Sequence, residues 1–133
     1  MSVPYAATQD ERVERHLRLV VVDDRAHARR ALRALLSTYA DLAVVGEAAD
    51  GAAAIELVAR EQPDVVLMDL YMPVVNGLQA VARINERWPQ VRVIVLSPAV
   101  EAREHALAAG AYAFIAKDDP ADALLATIRT WQT

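Results

Sequence analysis

Five short apolar runs, separated by stretches patterned like helices, limit this chain to a small set of folds. The runs are Leu17–Val22, Ala43–Gly46, Val65–Met68, Val91–Leu96 and Ala111–Ala116. Three of them are rich in Val, Ile and Leu without polar alternation, the pattern of strands buried on both faces of a parallel sheet. The fifth is Ala-rich with Tyr112 and Phe114. Between the runs, Ala28, Ala31, Leu32, Leu35 and Leu36 share one helical face, while Arg29, Arg30 and Arg33 lie elsewhere. Asp50 is placed to cap a second helix carrying Ile55 and Val58. Leu78, Val81, Ile84 and Trp88 repeat at helical spacing until Pro89 stops them. Glu101–Ala109 is helical by propensity but poor in large apolar residues, so this helix is expected to be loosely held. Asp119 and Pro120 suit the cap and first turn of a last helix burying Leu124, Ile128 and Trp131.

A strand–helix unit repeated five times implies right-handed crossovers and helices on both faces of the sheet. The expected architecture is α/β, a doubly wound five-stranded parallel sheet of order 2-1-3-4-5. The chain's 133 residues suit one domain over residues 16–133. Residues 1–15 form an N-terminal extension, flexible or briefly helical, with Thr8 and Glu11 at capping-box spacing. A net charge of −4 argues against direct nucleic-acid binding by this chain. No apolar run approaches the roughly 20 residues of a membrane span, and Met1–His16 lacks a signal-like apolar stretch. There is no cysteine. The expected setting is therefore cytoplasmic.

In doubly wound sheets the ligand site lies beyond the carboxyl ends of the strands. Asp23 and Asp24 follow the first run, Asp69 the third, Ser97 the fourth and Lys117 the fifth. Three carboxylates on one edge repel unless a cation sits among them. Oxygen ligands of this kind suit Mg²⁺, which commonly takes one or two protein carboxylates directly. A carboxylate can attack phosphorus to give an acyl phosphate, and a hydroxyl and an ammonium can hold the transferred group. Lys117 is the only lysine beside thirteen arginines, so a compact mobile charge is kept at this one place.

The stretches Val20-Val21-Val22-Asp23-Asp24, Asp69-Leu70-Tyr71-Met72-Pro73 with Gly77, Leu96-Ser97, Gly110-Ala111 and Lys117-Asp118 together resemble receiver domains of two-component signalling. The resemblance runs from about Leu17 to Trp131. It implies a flavodoxin-like fold and a phosphoacceptor at Asp69. It further implies Mg²⁺ held by Asp24, Asp69, Asp23 and the backbone carbonyl of Tyr71. Ser97 takes the switch hydroxyl position, Lys117 the phosphoryl-contacting lysine, and Phe114 the aromatic that swings inward on activation. The implied partners are a histidine kinase or phosphotransfer protein, and a second copy of the chain on activation. The type is similar to receivers that often precede a helix-turn-helix output domain. The resemblance also implies a domain that assists its own phosphorylation and dephosphorylation without acting as an enzyme on a separate substrate.

Two features depart from that pattern. Pro98 has no N–H where receivers usually offer one to the phosphoryl group, and the segment from Ser97 to Gly110 is about two residues short. Both motivate an alternative, a phosphorylation-independent interaction module of the same fold. A phosphatase with an Asp nucleophile is disfavoured because Tyr71 stands where an acid/base Asp is needed. Simpler roles stay open residue by residue. The Asp pair could cap a helix, Ser97 could be turn chemistry before Pro98, and Phe114 could be plain core. His27 reads as an ordinary helix residue, and Arg25 as an exposed arginine that could lean over the site's rim.

Overall fold

Strand β1 (Leu17–Val22) sits in the interior of the sheet, and its residues are nearly all buried because helices cover both of its faces. The computed structural model describes residues 16–70 and 76–130. After β1 come α1 (Ala26–Ser37), β2 (Leu42–Ala48), α2 (Gly51–Glu61) and β3 (Val65–Asp69). These are followed by α3 (Gly77–Arg87), β4 (Arg92–Ser97), a 3₁₀ turn (Val100–Ala102), α4 (Arg103–Ala108), β5 (Ala113–Ala116) and α5 (Ala121–Arg129). All neighbouring strands pair in parallel, in the order β2-β1-β3-β4-β5. This is the doubly wound, flavodoxin-like arrangement expected from the alternation of runs.

Because strand side chains alternate, the sheet feeds two cores. Leu19, Val21, Leu67 and Ile94 face α1 and α5, meeting Leu36, Leu124, Leu125 and Ile128. Val20, Val22, Val66, Met68, Val93 and Val95 face the other way, toward Leu57, Val58, Val81 and Ile84 of α2 and α3 and Ala106 of α4. Full burial of each such side chain contributes about 1.5–3 kcal/mol before chain entropy is counted. No helix among the described residues is long and apolar enough to cross a membrane.

Several local expectations are met and others are corrected. Asp50 caps α2, accepting the Ala53 N–H at 2.8 Å. Helix α3 ends at Arg87, with Trp88 as its C-cap just before Pro89. Its start carries a capping box not foreseen from the sequence: Asn76 accepts from Gln79 N–H at 2.9 Å and the Gln79 side chain accepts from Asn76 N–H at 3.3 Å. The Asp pair does not cap α1; Arg25 occupies the cap position and makes no side-chain cap bond. Asp119 does not cap α5 either, since Pro120 is the N-cap and the Asp119 carboxylate turns back to the Ala116 N–H at 3.2 Å. The fifth strand starts at Ala113 rather than Ala111; just before it, Tyr112 donates its N–H to the Val93 carbonyl at 2.8 Å, while its ring stacks on Arg92 and its hydroxyl bonds Thr130. Helix α4 is six residues long with only Ala106 buried, as its sparse apolar content implied. Trp131, Tyr71 and the capping-box segment near Thr8 lie outside the described residues.

Candidate functional site

Strand register brings the acidic residues together. Val22 pairs with Met68, so Asp23 and Asp69 are the next residues along two adjacent strands, about 4.8 Å apart by sheet geometry. Asp69 pairs with Leu96, and Ser97 with Ala116, which puts Ser97 and Lys117 at the same edge. One carboxylate oxygen from each of Asp23, Asp24 and Asp69 lies within 4.8 Å of the others. The cluster grades from closed to open. The Asp69 and Asp23 side chains keep 6% and 10% of their exposure, Lys117 keeps 25%, and Asp24 is exposed.

Two cations face this cluster of three carboxylates. Lys117 Nζ is 3.3 Å from Asp23 Oδ2 and 4.0 Å from Asp69 Oδ2. Arg25 places Nε 3.6 Å from Asp23 Oδ1, and its own backbone N–H donates to that oxygen at 2.9 Å. The turn bearing Lys117 is fixed from both sides. Its N–H donates to the Ser97 carbonyl at 3.1 Å, while Asp119 closes the turn through its N–H to the Ala116 carbonyl at 3.0 Å. That positioning role of Asp119 was hidden in the sequence by the Asp-Pro pair, which reads as a helix start.

Ser97 is fully buried at the end of β4, and its Oγ accepts the Ala99 N–H at 3.1 Å. The hydroxyl oxygen is thus used as an acceptor while its proton can still be donated. Pro98 offers no N–H beside it. Phe114 is 7% exposed on β5 and belongs to the core facing α2, α3 and α4. It packs inward in this structure.

Two further contacts hold the site's frame. Gly77 opens α3 against the backbone that follows β3, donating its N–H to the Leu70 carbonyl at 2.9 Å. A Cβ there would fall 2.5 Å from the Asp69 carbonyl oxygen, so only glycine permits this approach. Arg29 donates to the Asp23 carbonyl at 2.7 Å and to Glu47 at 3.2 Å, tying α1 to β2 beside the site. Arg33 pairs with the same carboxylate. The hydrogen bond from Arg33, joined by that from Arg29, outweighs partial burial and holds the Glu47 carboxyl below its ordinary pKa. Sequence reading placed Arg29 off the apolar face and saw no role for it.

The three carboxylates are hard oxygen donors of the kind Mg²⁺ takes. With one oxygen of each within 4.8 Å of the others, Asp23, Asp24 and Asp69 could hold such an ion. Beside the cluster, a cleft of about 340 Å³ opens between α1 and α5, with Asp23, Arg25, Lys117 and Asp119 among its polar lining and Leu32, Leu96, Ile115 and Leu124 among its apolar lining.

Comparison with known proteins agrees with this geometry. The family model for the response regulator receiver domain matches residues 19–129. The transcriptional regulatory protein DegU of Brevibacillus brevis is 36% identical over 118 residues, covering 87% of this chain and 50% of the relative. The uncharacterized transcriptional regulatory protein YhcZ of Bacillus subtilis is 39% identical over 114 residues, covering 84% of this chain and 53% of the relative. The chain thus spans about half the length of these two relatives. Among solved structures, the response regulator domain of Thermotoga maritima CheB aligns with a TM-score of 0.81 at 34% identity, covering 90% of this chain and 98% of that one. The signal receiver domain of the putative response regulator NarL from Mycobacterium tuberculosis gives 0.78 at 35% identity, covering 86% and 97%. The chain is therefore a member of the response regulator receiver domain family of two-component systems.

Proposed function

We propose that Asp69 accepts a phosphoryl group from a phosphohistidine on a partner kinase or phosphotransfer protein, with Mg²⁺ at the acidic cluster, and that this modification is the signal. The supporting observation is the convergence of three carboxylates within 4.8 Å with the Lys117 ammonium at 3.3 and 4.0 Å. Asp23, Asp24 and Asp69 would hold the ion together with the Tyr71 backbone carbonyl. Bound Mg²⁺ supplies charge neutralisation at the phosphoryl oxygens. An Asp69 carboxylate oxygen attacks phosphorus as the bond to the donor imidazole nitrogen breaks, and the electron pair stays on that nitrogen. Lys117 is within a small movement of the new phosphoryl group. Ser97 has its hydroxyl proton to donate, because its oxygen is already engaged by Ala99 N–H. The acyl phosphate adds nearly two negative charges at one point, and Ser97, Phe114 and the sparsely packed α4 would relay them to a partner or a second copy of the chain. On this reading the domain catalyses only its own modification and reversal.

Acetyl phosphate with Mg²⁺ is expected to add one phosphoryl group to the wild type and none to Asp69→Ala, read by intact mass. Unchanged mass for both proteins across a wide range of donor and Mg²⁺ concentrations rejects the reading.

A second reading has one observation in its favour. Pro98 removes a phosphoryl-facing N–H, and the next N–H, that of Ala99, is already bound to Ser97 Oγ. A domain so equipped could bind its partner without phosphate. Equal partner affinity with and without a beryllofluoride mimic favours this second reading, and a large difference eliminates it.

A further inference from the structure

We infer that Arg25 sets the domain's affinity for the divalent cation, its guanidinium acting as a resident competitor that the ion must displace from Asp23. The inference rests on the metal reading proposed above.

Both oxygens of the Asp23 carboxylate are engaged. Oδ1 faces Arg25, with Nε at 3.6 Å and the backbone N–H at 2.9 Å, and Oδ2 faces Lys117 Nζ at 3.3 Å. An ion entering among Asp23, Asp24 and Asp69 therefore meets two positive charges. Their mobilities differ. The Arg25 side chain is 63% exposed and the Lys117 side chain 25%. Lys117 also lies 4.0 Å from Asp69 and its turn is pinned to Ser97, so it has reason to stay. Arg25 can swing into solvent at little cost, yet until it does it repels a doubly charged ion and satisfies part of the carboxylate that would bind it.

The Asp23 contact through the Arg25 backbone N–H survives any side-chain change, and Arg25 makes no side-chain cap bond to α1. Substitution thus removes the guanidinium while keeping the helix start. A fixed structural role would require the opposite, loss of stability on truncation.

The test is a Mg²⁺ titration of the full chain by calorimetry without phosphodonor, on wild type, Arg25→Ala, Arg25→Gln and Arg25→Lys, with Asp24→Asn as the site control. Arg25→Ala and Arg25→Gln should bind about 3- to 10-fold tighter, the gap narrowing at high ionic strength, and Arg25→Lys should stay within about twofold of wild type. Thermal melts should show all the Arg25 variants folded. Equal or weaker binding in both Arg25→Ala and Arg25→Gln overturns the inference. If wild type binds and Asp24→Asn does not, that failure leaves the metal site standing. If neither wild type nor Arg25→Ala binds Mg²⁺, the metal reading itself falls and the inference with it.

Discussion

Replacing Gly77 by Ala sets two physical effects of opposite sign against each other. Alanine in place of glycine favours a helix by about 0.8–1.0 kcal/mol in the interior, and less at a first position such as this. Against that, the added Cβ would lie 2.5 Å from the Asp69 carbonyl oxygen and 2.9 Å from that of Leu70, both backbone atoms. Ordinary contact begins near 3.4 Å, so the start of α3 would have to retreat by close to an ångström. The retreat stretches the Gly77 N–H bond to the Leu70 carbonyl, now 2.9 Å. Forced repacking costs about 1–3 kcal/mol, and a weakened hydrogen bond up to about 1 kcal/mol more. The balance is a loss of about 1–3 kcal/mol, or roughly 4–12 °C in Tm for a domain of this size. Thermal and urea unfolding followed by circular dichroism measure it directly. Because the clash is with the backbone of Asp69, the proposed phosphoacceptor, the rate of acetyl-phosphate labelling should fall as well. A Gly77→Ala variant as stable as wild type, or more so, would show that the close approach is not a constraint and that propensity decides.

Other outcomes follow from the same geometry. Pro98→Ala restores an N–H beside Ser97 and should raise beryllofluoride affinity about 5- to 10-fold, measured by NMR titration; no change means that this donor is not limiting. Lys117→Ala removes the ammonium nearest Asp23 and Asp69 and should slow acetyl-phosphate labelling by tenfold or more, with the protein still folded; a rate within about twofold of wild type would remove Lys117 from the chemistry. The Asp41 carboxyl, hydrogen-bonded by Arg129, and the Glu47 carboxyl, hydrogen-bonded by Arg33 and Arg29, are both held below their ordinary values. Folded pKa values lower than unfolded ones give stability that is present above the unfolded carboxyl range and lost as pH falls through the depressed values. Asp41→Asn and Glu47→Gln should therefore each flatten the acid limb of a stability–pH profile, by under about 1 kcal/mol because both pairs are partly exposed, and an unchanged limb counts against these pairs.

The strand core was legible because its signal is continuous. Leu17–Val22 matches the strand, since five of its six residues are buried and apolar and Asp23 ends the run. Boundaries slipped where a side chain serves two masters. Tyr112 keeps its N–H on Val93 of β4 while its ring and hydroxyl go to Arg92 and Thr130, and Asp119 looks like a cap but closes the Lys117 turn. Asn76 and Gln79 had capping-box spacing that went unread, for want of the usual Ser or Thr. The gathering of Asp23, Asp24, Asp69 and Lys117 was foreseen from position alone, because a parallel sheet puts every strand's carboxyl end on one edge. What position could not supply was which carboxylate Lys117 prefers. That depends on side-chain reach across several strands, and no one-dimensional spacing encodes it.

On the proposed reading, that preference bears on how phosphorylation would act. In strand order, Lys117 follows β5 while Asp69 ends β3 and Asp23 follows β1, so the ammonium reaches past both β4 and β3 to Asp23. A long flexible stem with a compact charge can do this and then re-aim, whereas the planar fork of an arginine would be bound in one orientation. Asp23 thus holds Lys117 in waiting, 3.3 Å away, with Asp69 only 4.0 Å from the same nitrogen. New negative charge at Asp69 would tip that near balance without moving any strand. On that proposed reading, the single lysine in an arginine-rich chain would supply a cation that can change partners while the backbone beneath it, tied to the Ser97 carbonyl, stays in place.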